Sequence, residues 1–247
     1  MILRTASTTA ATTPPPSVAP QGEGLRERKK RLMRQQLSDT ATQMFLERGF
    51  DAVRVSQIAA ACGVSEQTVF NYFPTKESLL LDRSDGNRAA LRAGLSEGGI
   101  SPVTATLTFL ANELAAEISW LASQEDQAQA ITTVQRFDAL IETTASLRAH
   151  QRDQTDQLVS VAAEILAERA GVEANDPRPR IAATALLGLV EIQARALKKY
   201  LEPGRTLDQV QAAVTADVHA AARLIEGGLG SYPPGRKRKA PRNDSPW

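Results

Sequence analysis

Apolar residues recur every three or four positions along most of this chain, and no stretch alternates apolar with polar. That period places one apolar stripe on each of a series of helices and leaves no segment that reads as a strand. The pattern predicts an all-α fold. A first helix covers residues 25 to 48, with Leu37, Ala41, Met44 and Phe45 on one face. Two short helices follow. Val55, Ile58 and Ala59 share a face of the first, and Glu66 to Phe73 forms the second. Gly63 stands between them, where the chain must leave a helix in a left-handed conformation. Val64 plugs the turn, and Ser65 is placed to cap the second helix. Pro74 stops that helix, and Thr75 is placed to cap the next. Short helices joined by a glycine turn are the helix-turn-helix, whose second helix lies in the DNA major groove.

The periodicity continues. A fourth helix is expected from about Lys76 to Leu95, ended by Gly98-Gly99 and Ser101-Pro102. Val103 to Ser123 carries Leu107, Leu110, Leu114, Ile118 and Leu121 at helical spacing. Further helices are expected over Gln127–Arg148, Asp153–Ala170 and Arg180–Tyr200, with Pro177 and Pro179 marking a break before the last of these. Pro203-Gly204 stops it. Thr206 caps a final helix, which Gly227, Gly228 and Gly230 end. The segment from Ile181 to Leu197 is apolar or small on almost every side, so burial on all sides is expected. Ala182, Ala185, Gly188 and Ala196 would let another helix approach closely.

The exposed side of the second short helix carries Glu66, Gln67, Thr68, Asn71 and Tyr72, with Phe70 between the faces. Amides there suit adenine edges, and hydroxyls suit phosphates. Arg54, Ser56 and Ser65, on and before the two short helices, and Lys76 after them complete the candidate DNA-contacting set. An ordinary helical hairpin with a polar surface could show the same turn. The spacing as a whole, behind a basic first helix, argues against that.

Those residues carry a resemblance. Leu37 to Leu80 resembles the DNA-binding domain of the TetR family of bacterial transcriptional regulators. Leu37, Ala41, Phe45 and Gly49-Phe50 match the family's first helix and its end. Ile58-Ala59, Gly63-Val64-Ser65, Thr68, Tyr72-Phe73, Lys76 and Leu79 match its most typical positions. The match departs at Arg54-Val55, where threonines are frequent, at Phe70, where tyrosine is common, and at Asn71, where Arg or His is frequent. These departures bear on which operator is read. The resemblance implies a larger helical domain with an effector pocket, and a homodimer joined through the last two helices.

Charge adds to this picture. The net value of +1 conceals +3 over residues 1–83, −6 over 84–230 and +4 over 231–247. A basic end on an acidic body fits a DNA-binding head fused to another domain. The run Arg26, Arg28, Lys29, Lys30, Arg31 and Arg34 suits phosphates flanking an operator. The expected organisation is a disordered Thr/Ala/Pro-rich extension (1–24), the DNA-binding head (25–83), an effector-binding and dimerisation domain (84–230) and a basic disordered tail (231–247). The extension lacks the apolar core of a secretory signal. No apolar run is long enough to span a bilayer.

One cysteine, Cys62, excludes an intrachain disulfide and fits a cytoplasmic protein. It reads as a small buried hydrophobe. His150 and His219 have no ligand-spaced partners, and no nucleophile elbow or phosphate loop is present. No catalytic, metal or cofactor site is therefore expected, and the protein is not expected to be an enzyme. His150 reads as a solvated helix cap.

Candidate residues for the implied pocket are Phe109, Glu113, Glu117, Trp120, Phe137, Leu140 and Ile141, with Leu189 as a further apolar wall and Arg136, Glu191 and Arg195 as further polar groups. Each is also placed to be ordinary core packing. Expected partners are double-stranded operator DNA, a second copy of the chain and a small apolar or amphipathic effector. Two other readings stay open: a constitutive dimeric DNA-binding protein without an effector, and a helical carrier or enzyme whose helix-turn-helix is only structural.

Overall fold

The computed structural model describes residues 24–81, 84–97, 99–173, 175–202 and 204–228. The Thr/Ala/Pro-rich extension to residue 23, Gly98, Pro203, Gly230 and the basic tail lie outside these. Ten helices and no strands are found among the described residues. The all-α reading therefore holds.

Four helices make the head. The first, α1 (Leu25–Arg48), buries Leu37, Ala41 and Phe45 completely. Its end at Gly49 takes a φ of 85°. The next two are α2 (Val55–Ala61) and α3 (Glu66–Tyr72). They meet across Gly63, whose φ of 68° lies in the region that favours glycine. The Gly63 N–H donates to the Ala60 carbonyl and the Val64 N–H to the Ala59 carbonyl. This double closure satisfies carbonyls that the end of α2 would otherwise leave open. At the start of α3 the Ser65 hydroxyl accepts from the Thr68 N–H at 3.1 Å. The short α4 (Ser78–Leu81) is capped by Thr75, which accepts from the Ser78 N–H. Side chains from α1 lock these pieces together. Ser38 donates to the Leu79 carbonyl at 2.9 Å, and Arg34 donates to the Tyr72 carbonyl at 2.6 Å while lying over the Phe73 ring.

Six helices make the body: α5 (Ser84–Ser96), α6 (Pro102–Ala122), α7 (Gln127–Thr143), α8 (Ala145–Ala170), α9 (Pro177–Tyr200) and α10 (Leu207–Gly227). Ser101, Asp126, Asp176 and Thr206 cap α6, α7, α9 and α10 through side-chain oxygens. Three sequence expectations need correction here. The expected helix from Lys76 is two described helices, and Lys76 itself precedes α4. The break near residues 149–152 falls instead at Thr144, so α8 starts at Ala145 and carries His150 inside it. Polar residues there mark the exposed face of a long helix, not its end. His150 lies within hydrogen-bond distance of Gln154, one turn on, and does not act as a cap. Finally, Pro177 and Pro179 do not separate α9 from a preceding break; they form its first turn. The backbone N–H groups there have no intrahelical acceptor, so proline loses nothing.

One buried apolar cluster runs from the head (Leu37, Phe45, Phe73) through α6 and α7 to α9 and α10. A second joins α5, α8 and the first half of α9 at the far end of the body. Arg169 ties that end together by donating to the carbonyls of Leu95 and Ile100. No helix among the described residues is long and apolar enough to cross a membrane.

The expected burial of α9 on all sides is also corrected. Ala196 is buried in the chain's own core, and Ala182 lines a surface hollow. Ile181 is 69% exposed and Ile192 37% exposed. Together with half-buried Ala185 and Gly188 they form a stripe at i, i+4, i+7 and i+11 that the described residues leave partly open. The periodicity showed an apolar helix. It could not tell a face buried within one chain from a face left bare.

Candidate nucleic-acid interface

The two short helices are too brief to be stable alone, so their geometry comes from packing and caps. Val69 and Phe73 bury one face of α3 against α1. The opposite face is then fixed outward. Glu66, Gln67 and Asn71 are exposed, Phe70 is 42% exposed, and Thr68 and Tyr72 are half-buried. Ser65 and Thr68 share a hydroxyl–hydroxyl hydrogen bond, and Gln67 donates to Asn71 at 3.2 Å. The two amides are thus prealigned one turn apart. Arg54 and Ser56 are exposed at the start of α2, where the Arg54 N–H donates to the Gln57 side chain.

Two cations proposed for phosphate contact are used within the head. Arg34 holds the end of α3, as described above. Lys76 donates to the Phe50 carbonyl at 2.6 Å, and its ammonium sits 4.3 Å from the Phe50 ring centroid and 5.6 Å from that of Phe45. Burial pulls its pKa below the usual lysine value, against the pull of Asp51 and Glu77. These contacts span 38 and 26 residues of sequence, so no local pattern announces them. Cys62 is half-buried, with its thiol turned toward the Gln36 carbonyl.

Outward amides on a short helix, fixed by a glycine-turned partner and a long supporting helix, form a helix-turn-helix head. Residues 37–82 match the model described as bacterial regulatory proteins of the TetR family, and residues 124–229 match that of the MftR C-terminal domain. The regulator TcmR of Streptomyces glaucescens is 30% identical over 171 residues, which cover 68% of this chain and 74% of TcmR. This chain belongs to the TetR family. It is a DNA-binding transcriptional regulator. The regulator MftR of Mycobacterium tuberculosis is 26% identical over 170 residues, covering 62% of this chain and 73% of MftR. A solved TetR-family regulator from Streptomyces coelicolor shares 21% identity at a TM-score of 0.44, over 81% of this chain and 99% of its own.

Substitutions separate readout from support in this TetR-family head. Gln67→Ala or Asn71→Ala is expected to lose roughly 1–3 kcal/mol on the operator and little on random DNA. Because the two amides are bonded, the double variant should lose less than the sum of the singles. Lys76→Ala should weaken binding to every sequence and also lower the melting temperature, since the Phe50 carbonyl loses its donor. Equal loss on operator and random DNA for all three variants would refute the division of roles.

The apolar candidates for the pocket pack in or against the main buried cluster. Phe109, Glu113 and Trp120 on α6 and Leu140 on α7 are half-buried, while Phe137 and Ile141 are buried in the main cluster with Leu189 of α9. Glu191 and Arg195 pair with each other on the exposed side of α9. Arg136 points the other way, donating to the Leu46 carbonyl at the end of α1. Glu117 is 6% exposed. Among the described residues no group of three or more His, Cys, Asp or Glu could hold a metal.

Asp138, also on α7, is half-buried. Burial pushes its carboxyl up to about 6, Glu117 and Glu142 add to the rise, and Lys198 opposes it. The ordinary value is 3.8, so the folded state favours the protonated form. That contribution is complete below about 3.8 and is lost as pH rises through about 6. Asp138→Asn should therefore melt higher than the parent at neutral pH. The difference should shrink as pH falls through that window. A pH-independent difference would mean that Asp138 is solvated.

Proposed function

We propose that this protein is a homodimeric repressor released from its operator by a small apolar or amphipathic effector bound in the body. The proposed division gives residues 25–83 to DNA and 84–230 to the effector and dimer, in a cytoplasmic protein without catalytic activity. The observation that carries the effector reading is the position of α7. Its Arg136 grips the last turn of α1 through Leu46, while on the body side Phe137 and Ile141 of the same helix are buried in the main cluster. A ligand that shifts α7 would therefore shift the head. The effector must favour the head position that does not fit DNA, and operator DNA must weaken the effector by the same factor. Two heads joined through the bare stripe of α9 would read two half-sites of an inverted repeat, about one helical turn or somewhat more apart.

Arg136→Ala tests the coupling. The variant is expected to bind operator and effector nearly as the parent does, yet to stay on DNA when effector is added. The measurement is operator affinity by anisotropy, with and without effector. Unchanged release by the variant would place the coupling elsewhere. A failure of every tested compound to release the parent protein would favour a constitutive DNA-binding protein.

A further inference from the structure

The helix α3, EQTVFNY, holds no lysine or arginine. The commonest way to read guanine, a bidentate cation on its O6 and N7, is therefore closed to this helix. Its outward side offers instead the Gln67 and Asn71 amides, which suit adenine, and the ring of Phe70. Burial of Val69 and Phe73 fixes the rotation of α3, so Phe70 comes between that face and the amides. It stands one turn after Gln67 and next to Asn71, the pair joined at 3.2 Å. Phe70 is 42% exposed, and no other phenylalanine is exposed. Neither a second ring nor a cation covers it among the described residues.

A lone exposed apolar side chain is ordinary on a protein surface. On α3 it has a consequence, because the major groove covers this face when DNA is bound. A phenyl ring offers no hydrogen bond. Set against phosphate oxygens or base nitrogens, it would strip them of water and give nothing back. The base edges of the major groove display one apolar group, the 5-methyl of thymine. In an A·T pair that methyl lines the same groove as the adenine N6 and N7 that suit an amide. We infer that Phe70 reads a thymine 5-methyl group in each operator half-site, beside the adenine-reading amides. This role rests on operator readout by α3 and names the base it selects. Because the contact is apolar and releases no counterion, the discrimination it provides does not depend on salt.

Duplexes selected from a random-sequence pool by the full chain supply the operator. Each thymine is then replaced in turn by deoxyuridine, symmetrically in both half-sites. The exchange removes the methyl group and keeps every hydrogen-bonding group. At one position the parent is expected to lose about fourfold in affinity for each half-site, the effect of one buried methyl group. Phe70→Ala should bind the thymine and deoxyuridine duplexes alike and should melt with the parent, since its side chain is exposed. Phe70→Leu, which keeps an apolar branch, should retain part of the preference. For the parent the ratio of the two affinities should hold as salt rises, while both fall together. A ring with only a structural role would weaken both duplexes equally when removed and leave the methyl effect in place, which overturns the contact. Indifference of the parent to every methyl group overturns it too. So does a Phe70→Ala variant that weakens random duplexes as much as the operator, since the ring would then lie on sugar and phosphate. A pool that yields no preferred sequence overturns operator readout by α3 itself, and the methyl contact with it.

Discussion

Gly188→Glu is expected to split the dimer and to reduce operator affinity by roughly 10²- to 10⁴-fold, because the second head then no longer binds at high effective concentration. The reason lies in where Gly188 sits. A Cβ added there meets nothing within 4 Å in the single chain, so the substitution is tolerated by the protomer itself. It lies in the bare stripe with Ile181, Ala185 and Ile192. Two copies packed through that stripe would bury the new carboxylate without a partner, which is strongly destabilising for the assembly. Helix content and melting of the monomer should be close to those of the parent. Sedimentation is the measurement, followed by operator titration. A variant that stays dimeric and binds as before would move the dimer contact to another face, with the exposed alanines of α10 the next to test.

Phe45→Ala is expected to cost roughly 3–5 kcal/mol and to abolish operator binding at ordinary temperature. Phe45 is completely buried, its ring lies 4.8 Å from that of Phe50, and the Lys76 ammonium sits over both rings. Losing it removes the centre of the head and the seat of Lys76 together. The α8–α9 end of the body has its own buried cluster, and the stripe of α9 does not touch Phe45. Dimerisation and most helix content should therefore survive. Hydrogen exchange should show α1 to α4 opening while α8 and α9 stay protected. The opposing outcome is clear, because the main cluster runs unbroken from the head into α6 and α7. If dimer and head are lost in one transition, that continuity makes the chain a single cooperative unit.

Much of this protein is local, and what is local was legible. Helical periodicity, Gly63 between two short apolar faces, and capping residues such as Ser65, Ser101 and Thr206 each act through neighbours within a turn or two. Those features alone established an all-helical chain with a helix-turn-helix head, and they set which side of α3 faces outward. They also left errors where local rules have two solutions. The polar run after Arg148 fits either a loop or the exposed side of a helix, and α8 takes the second. Pro177 and Pro179 fit either a break or a first turn, and the unneeded N–H groups of that turn decided it. Only the tertiary structure could show what Arg34 and Lys76 hold, because their carbonyl and ring partners lie 38 and 26 residues away. The same is true of Arg136, whose partner, the Leu46 carbonyl at the end of α1, lies 90 residues away, so only the packing of α7 against the head could reveal the contact.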